Sequence, residues 1–142
     1  MAKKIMIFIE GTTFYTKFPI FLFSKYGYKP IDNAVEIVNG WQKRGYEIYL
    51  CSYVRKRRYK FIKRIIDFYG MKYTKILCRE KGEQYSEIVE RIKPDILIED
   101  DCKSIGGQKE WCITNVREEI KAGIHSIIVP EYKGIDDVKI NE

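Results

Sequence analysis

Strand-length apolar runs alternate with segments of helical spacing along this chain, and this order constrains the fold more than any other feature. The first run, residues 5–9, reads Ile-Met-Ile-Phe-Ile and has no polar alternation. Such a run is typical of a strand that is buried on both faces of a parallel sheet. Further strands are predicted at residues 47–51, 73–78, 95–98 and 126–129.

Apolar residues at helical spacing fill the gaps between these strands. They predict helices after Asp32 or Asn33 up to Gly45, after Ser52 up to Tyr69, from Tyr85 to Ile92, and after an Asn115-x-x-Glu118 capping box up to Gly123. Strands and helices that alternate in this way predict a three-layer α/β fold. Its helices cover both faces of a doubly wound, mostly parallel, Rossmann-like sheet.

The length of the chain, 142 residues, is that of one domain, and we expect residues 1–142 to form a single α/β domain. Its hydrophobic fraction of 45% supplies a sizeable core and excludes a disordered chain. Residues 13–31 contain the breakers Pro19, Gly27 and Pro30, so a loop and a short helix are expected over one end of the sheet. No apolar run approaches the roughly 18 residues that span a membrane, and no membrane partner is expected.

The net charge and the cysteines limit which partners and which cellular compartment can be expected. The chain carries 26 Lys and Arg against 20 Asp and Glu, a net charge of +6, which permits an anionic partner without requiring one. The four cysteines form no C-x-x-C pair and His125 is the one histidine, so the sequence does not indicate a zinc site. We expect reduced thiols and a cytoplasmic protein.

Polar clusters stand at the ends of three predicted strands, and this is the main functional signal. The clusters are Glu10-Gly11-Thr12, Ser52 and Glu99-Asp100-Asp101. Because ligands of such sheets bind beyond the carboxyl ends of the strands, we expect Glu10, Ser52 and Asp100 to converge there. Consecutive acids alone are consistent with a solvated turn. With Glu10 and Ser52 beside them, they favour a phosphate pocket or a Mg²⁺ site, whose candidate ligands are Glu10, Glu99, Asp100 and Asp101.

These motifs resemble those of the haloacid dehalogenase (HAD) superfamily, whose members are mostly Mg²⁺-dependent phosphatases. The family opens with an apolar strand that runs into Asp-x-Asp-Gly-Thr, where this chain has Phe8-Ile9-Glu10-Gly11-Thr12. Ser52 is similar to the Thr or Ser that ends the next strand of the family, and the acids after residue 98 are similar to its final acidic pair.

The resemblance covers residues 4 to about 138 and implies a HAD-type fold without a large cap domain. In such a fold residues 13–31 can form only a short flap. Capless members tend to act on macromolecules or to use a neighbouring subunit as a lid. The resemblance therefore implies a phosphorylated small molecule or macromolecule as ligand, and it admits a homo-oligomer.

The chain departs from the family at the residues that carry the chemistry. Phe8 occupies the position of the aspartate that attacks phosphorus, and a phenyl ring cannot attack anything. Glu10, at the general acid–base position, keeps a carboxylate that is one methylene longer. The family lysine falls near Tyr85, which is not cationic, although Lys81 lies one turn upstream. The resemblance therefore implies a degenerate site.

The phosphate-binding half of the site could survive these changes. Its candidate donors are the backbone N–H groups of Gly11 and Thr12, the hydroxyl of Ser52 and the ammonium of Lys81. The alternative is that Gly11-Thr12 only turns the chain sharply.

A basic segment follows Ser52, with seven cations between residues 55 and 64. Candidate nucleic-acid contacts are Arg55, Lys56, Arg57, Lys60 and Lys63. The favoured interpretation is that these cations form the solvated face of an amphipathic helix. A third interpretation is that the first cations guide an anionic ligand into the pocket.

The sequence thus predicts a HAD-like domain with a degenerate phosphotransfer site, which binds phosphate or Mg²⁺ with little or no hydrolase activity. Two alternatives stay open. One is an active Mg²⁺-dependent phosphatase acting on an unidentified phosphate ester. The other is a nucleic-acid-binding module that uses the basic segment.

Overall fold

The computed structural model describes residues 2–17 and 24–140. The described strands are β1 (Lys4–Phe8), β2 (Phe14–Thr16), β3 (Tyr28–Pro30), β4 (Glu47–Arg55), β5 (Lys75–Arg79), β6 (Ile96–Asp100) and β7 (His125–Val129). Five of them form one sheet in the order β5-β4-β1-β6-β7, and every neighbouring pair in it is parallel. The predicted parallel sheet is confirmed.

The helices cover both faces of this sheet. They are α1 (Ala34–Lys43), α2 (Tyr59–Tyr69), α3 (Tyr85–Ile92), α4 (Cys112–Asn115) and α5 (Glu118–Lys121). Because side chains alternate along a strand, β1 sends Ile5 and Ile7 into a core shared with α1 and α2. Met6 enters the second core, which holds Ile88 of α3 and Cys112 of α4. The three-layer doubly wound fold is therefore as predicted.

The central position of β1 decides where a ligand can bind. Its neighbours are β4 on one side and β6 on the other, so the chain order reverses at this strand. The register pairs Ile7 of β1 with Leu50 and with Ile98. In open α/β sheets, the crevice beyond the carboxyl ends at such a reversal is the usual ligand site.

The end of β4 differs from the prediction. The strand continues past Ser52 to Arg55, and α2 begins only at Tyr59, after a 3-10 turn at Lys56–Arg58. Val54 is buried between exposed neighbours, so the period-2 pattern of a strand persists through this basic stretch. The pairing register with β5 shifts between Ser52 and Arg55.

The described part of residues 13–31 contains β2 and β3, which form an antiparallel hairpin, and a 3-10 turn at Lys25–Gly27. Residues 18–23, which include the breaker Pro19, lie outside the described residues, so the short helix expected in this segment stays a prediction. The capping box predicted at Asn115 is wrong. Asn115 ends α4 instead of capping α5, because its side-chain amide donates to the carbonyls of Lys109 and Trp111.

Of the helices described, the longest has 11 residues, and none of them is long and apolar enough to cross a membrane. The four cysteines (Cys51, Cys78, Cys102 and Cys112) are all free.

Candidate functional site

Glu10, Ser52 and Asp100 meet at the carboxyl ends of β1, β4 and β6. The hydroxyl of Ser52 donates to Oε2 of Glu10 at 2.8 Å. Two residues along the same turn, the hydroxyl of Thr12 donates to Oδ2 of Asp100 at 3.2 Å. The turn after β1 therefore joins the three side chains at one edge of the sheet, at the reversal of chain order.

The Glu10 carboxyl is held by three donors. Tyr28 of the hairpin and Ser52 of β4 both donate hydroxyl hydrogen bonds to Oε2, at 2.7 and 2.8 Å. The backbone N–H of Tyr53 donates to Oε1 at 2.7 Å. Burial raises the pKa of Glu10, and the three hydrogen bonds oppose that rise. Both oxygens are thus committed to the protein, and the carboxyl ties the hairpin to the sheet.

The Asp100 carboxylate sits against the turn that follows β1. It accepts from the hydroxyl of Thr12 and, at 2.8 Å, from the backbone N–H of Cys102. Burial raises the pKa of Asp100. Gly11 has φ of +85°, and a Cβ there would lie 2.6 Å from Oδ2 of Asp100, so this approach requires glycine.

Glu99 does not join Asp100, because successive side chains of β6 point to opposite faces of the sheet. It is buried, and its two oxygens accept from the backbone N–H groups of Cys112 and Ile113 at the start of α4. Burial raises the pKa of Glu99 to about 7. Asp101 accepts from the backbone N–H groups of Lys103 and Glu131 through Oδ1.

The predicted magnesium ligands consequently do not form one ligand set. Glu10 and Glu99 are bonded through both oxygens to other parts of the chain. Within residues 2–17 and 24–140, no group of three His, Cys, Asp or Glu side chains is arranged to hold a metal ion. As hydrogen-bonded here, the four predicted carboxylates do not form a Mg²⁺ site together.

Two aromatic rings occupy the positions that the HAD resemblance assigns to the nucleophile and the lysine. The ring of Phe8 meets that of Tyr85 edge-on, with centroids 5.5 Å apart and an interplanar angle of 81°. The guanidinium of Arg79 lies 5.0 Å from the centroid of the Tyr85 ring. Burial is the main cause that raises the pKa of Tyr85. Two aromatic rings thus pack against each other where the resemblance implies an anion and, nearby, a cation.

Two of the four predicted phosphate donors are engaged within the protein. The N–H of Gly11 donates to the carbonyl of Phe14 at 2.9 Å, and the hydroxyl of Ser52 donates to Glu10 at 2.8 Å. At Thr12 the predicted donor is the backbone N–H, while the side-chain hydroxyl donates to Asp100. Lys81, the last of the four, is exposed and lines an open cavity. Cations around that cavity therefore offer the more accessible phosphate donors.

This cavity, which we call the basic cavity, lies at the carboxyl ends of β4 and β5. Its volume is about 400 Å³, and it is lined by Arg55, Lys56, Arg57, Arg79, Glu80 and Lys81. The shifted register places Arg55 of β4 opposite Arg79 of β5. Glu80 pairs with Lys56 at 3.0 Å.

The other predicted nucleic-acid contacts lie away from this cavity. Lys63 pairs with Asp67 one turn along α2, at 2.7 Å, and Lys60 is exposed on the same helix. Sequence reasoning missed Arg79 and Tyr28. Arg79 carries the same signal as Ser52, a polar residue at the end of a predicted strand, and could have been found. Nothing in the sequence marks Tyr28 as the partner of Glu10.

Comparisons with known proteins bear on the fold. No family model matches the sequence, and no curated protein matches it. A chain of the Pnkp1/Rnl/Hen1 RNA repair complex superposes with a TM-score of 0.64 at 13% identity, over 91% of this chain and 43% of that one. A second Pnkp1/Rnl/Hen1 structure gives 0.66 at 12% identity, over 92% and 47%. The chain thus spans less than half the length of these two matches.

A third structure matches over almost its whole length. It is the D,D-heptose 1.7-bisphosphate phosphatase from B. bronchiseptica complexed with magnesium and phosphate, with a TM-score of 0.59 at 10% identity, over 96% of this chain and 97% of that one. At such identities the likeness concerns the fold alone. The chain therefore shares with these structures a doubly wound α/β fold.

Proposed function

We propose that this domain binds a phosphate-bearing ligand at a degenerate HAD-type site and hydrolyses phosphate esters little or not at all. The observation that carries the proposal is the edge-on pair of Phe8 and Tyr85. The pair fills the space where covalent phosphoryl transfer needs a carboxylate and a cation.

The covalent route is closed at Phe8 for an atomic reason. In-line attack on phosphorus needs a lone pair on the attacking atom, and a phenyl ring has none. Direct attack by water is the rival route, and it needs a base that can approach the water. Glu10, at the acid–base position of the resemblance, is the candidate for that base, but Tyr28 and Ser52 both donate to its Oε2 and the Tyr53 N–H donates to its Oε1.

The basic cavity supports the binding half of the proposal. Arg79 lines it and also stacks over Tyr85, so the cavity adjoins the pair that replaced the catalytic groups. Arg55 and Lys81 add two positive charges to the lining of the cavity. The guanidinium of an arginine and the ammonium of a lysine both donate hydrogen bonds to phosphate oxygens. No part of this binding involves Mg²⁺. Of the four predicted Mg²⁺ ligands, Asp100 and Asp101 are the pair to which we now assign weak binding of this ion.

Restoring the missing groups tests the proposal. The triple variant Phe8→Asp, Glu10→Asp, Tyr85→Lys reintroduces the attacking carboxylate, the shorter acid–base carboxylate and the cation that neutralises them. We expect it to hydrolyse a generic aryl phosphate in the presence of Mg²⁺ at least tenfold faster than the unmodified protein. The matched control is Phe8→Asn, Glu10→Asn, Tyr85→Met, which has similar shapes without the charges and should stay inactive.

Circular dichroism on both triple variants shows whether the strand end tolerates the polar groups. If the variant Phe8→Asp, Glu10→Asp, Tyr85→Lys is misfolded, the double variant Phe8→Asp, Glu10→Asp takes its place. If a folded variant with these aspartates is no faster than the matched control, the missing groups do not explain why the site is inactive. An unmodified protein that already turns over the ester as fast as the restored variant would contradict that explanation as well.

A further inference from the structure

We infer that the basic cavity binds the sugar–phosphate backbone of a single-stranded nucleic acid. The inference deepens the proposed function by naming the class of its ligand, and it rests on that function for the claim that phosphate is bound without cleavage. Four observations carry it: the register of two strands, the charge balance of the cavity, an exposed aromatic side chain beside it, and the shape of the cavity.

The register brings like charges together at a fixed place. Strand β4 shifts its pairing after Ser52, and the shift sets Arg55 opposite Arg79 of β5. Neighbouring strands are roughly 4.8 Å apart, so the two arginines leave adjacent backbones in a parallel pair. Like charges in such positions destabilise a sheet. A bound anion would remove that cost, since it would neutralise both guanidinium groups.

The charge balance of the cavity leaves most of its cations without a carboxylate. Lys56 is paired with Glu80, the one acid in the lining. Over the described part of the chain, ion pairs involve none of the other four cations of the lining: Arg55, Arg57, Arg79 and Lys81. Four such charges exceed what a single phosphate monoester needs. They suit a ligand with several phosphates in sequence, as in a nucleic-acid backbone.

An exposed aromatic side chain adds a surface for a base. Tyr53 exposes 53% of its area, and it precedes Arg55 by two residues on β4. Strand alternation places both side chains on the same face of the sheet, and Arg55 lines the cavity. Sequence-tolerant binding of single strands combines a cationic groove with aromatic rings on which bases stack. Tyr53 and the cations around Arg55 have this combination.

The shape and extent of the cationic surface favour a single strand over a duplex. The cavity is a recess of about 400 Å³ at the strand ends, whereas a duplex backbone contacts a broad face. Lys60 and Lys63 are the predicted contacts that would extend such a face along α2, and the charge of Lys63 is already paired with Asp67. Strands that are already unpaired can enter the recess and present their bases to Tyr53.

Fluorescence anisotropy with a labelled 12-nucleotide single strand tests the inference at low salt and over a salt series. The site variant is Arg55→Gln, Arg57→Gln, Lys81→Gln. The control, Lys43→Gln, Lys72→Gln, Lys75→Gln, removes the same charge from exposed positions at the amino-terminal edge of the sheet. We expect the site variant to lose at least tenfold in affinity. The slope of log K against log[salt] should become shallower by about 2, because three phosphate contacts are lost. The control should stay within about threefold of the unmodified protein.

Tyr53→Leu tests base stacking separately from charge, because it removes an aromatic ring and leaves the net charge unchanged. It should lower affinity for the single strand about tenfold, because a base loses its stacking surface. It should leave the affinity for an abasic strand of the same length unchanged. Equal losses in the site variant and the control variant, no effect of Tyr53→Leu, or tighter binding of a duplex of equal length would each overturn the inference.

The same samples separate this inference from the proposed function. If inorganic phosphate raises the melting temperature of the protein but no oligonucleotide binds, the inference fails and the proposed function stands. If the oligonucleotide binds at the cavity but the unmodified protein hydrolyses aryl phosphates rapidly, the proposed function fails and the nucleic-acid site stands.

Discussion

The carboxylate of Asp100 lies directly against the backbone of Gly11, so closely that a Cβ on Gly11 would be 2.6 Å from Oδ2. Gly11 also has φ of +85°, in the left-handed region that side chains rarely adopt. The turn after β1 can approach the acid of β6 because position 11 is glycine. This contact joins the central strand to its neighbour at the edge where the candidate site forms.

Gly11→Ala should destabilise the fold through both effects. Backbone strain at positive φ costs about 1 kcal/mol, and the clash with Asp100 adds about 1–3 kcal/mol. Gly70→Ala is the matched control, since Gly70 has φ of +77° and no described atom lies within 4 Å of the place that a Cβ would take there. Urea denaturation should therefore show a larger loss for Gly11→Ala. Equal losses in the two variants would mean that the contact with Asp100 is easily relieved.

Tyr28→Phe should lower stability by about 1–3 kcal/mol, because it removes a donor from the buried Glu10 carboxyl. The matched control is Tyr46→Phe. The hydroxyl of Tyr46 is buried and has no hydrogen-bond partner among the described residues, so its removal should be neutral or stabilising. Thermal and urea unfolding of the two variants measure the contrast. Similar effects of both changes would show that the hydroxyl of Tyr28 contributes little to holding Glu10.

The order of strands and helices could be predicted because each element carries its own period. Residues 5–9 are apolar throughout, as a doubly buried strand requires, and the structure has β1 at the centre of the sheet. The end of β4 was missed since its basic residues look like the first turn of a helix. The burial of Val54 and the pairing of Arg55 with Arg79, which both depend on tertiary structure, show that the strand continues.

The residues of the site could be named from the sequence, but their partners could not. The motif order marks Glu10, Ser52 and Asp100, and the structure brings them together. The motif order does not reveal that Glu99 turns to the opposite face. The strand was predicted to end at residue 98, whereas β6 continues to Asp100 and its alternation separates the two side chains. The contact between Phe8 and Tyr85 likewise joins residues that are far apart in the chain.

Glu99 should make stability depend on pH between about 4.5 and 7. Burial raises its pKa from 4.5 to about 7, so the folded state holds a proton that the unfolded chain has released. Stability should therefore fall as pH rises through this window, by at most about 3 kcal/mol. Glu10 and Asp100, whose pKa values are also raised by burial, add in the same direction.

Glu99→Gln isolates this contribution. It should remove much of the decline in stability from pH 4.5 to 7, although one of the two backbone N–H groups loses its acceptor. Glu36→Gln, on the exposed face of α1, serves as the control and should keep the decline. Urea denaturation across the pH range gives both curves. An unchanged decline in Glu99→Gln would contradict the assignment to this residue.

Magnesium should bind only weakly, because the acids at the site are engaged in other hydrogen bonds. With a Kd on the order of 10 mM, the melting temperature should rise by about 1 °C at 10 mM Mg²⁺. The double variant Asp100→Asn, Asp101→Asn should lose this rise, and Glu36→Gln should keep it. A rise of several degrees at 1 mM Mg²⁺ would show that the carboxylates rearrange into a proper metal site.

Turnover of a generic aryl phosphate by the unmodified protein in saturating Mg²⁺, with Asp100→Asn as the control, shows whether the site is inactive. Phe8 supplies no attacking atom and packs against Tyr85, and Glu10 is held by three donors. The account predicts a rate indistinguishable from that of Asp100→Asn and from buffer. Robust turnover that Asp100→Asn abolishes would contradict it and would establish an active phosphatase.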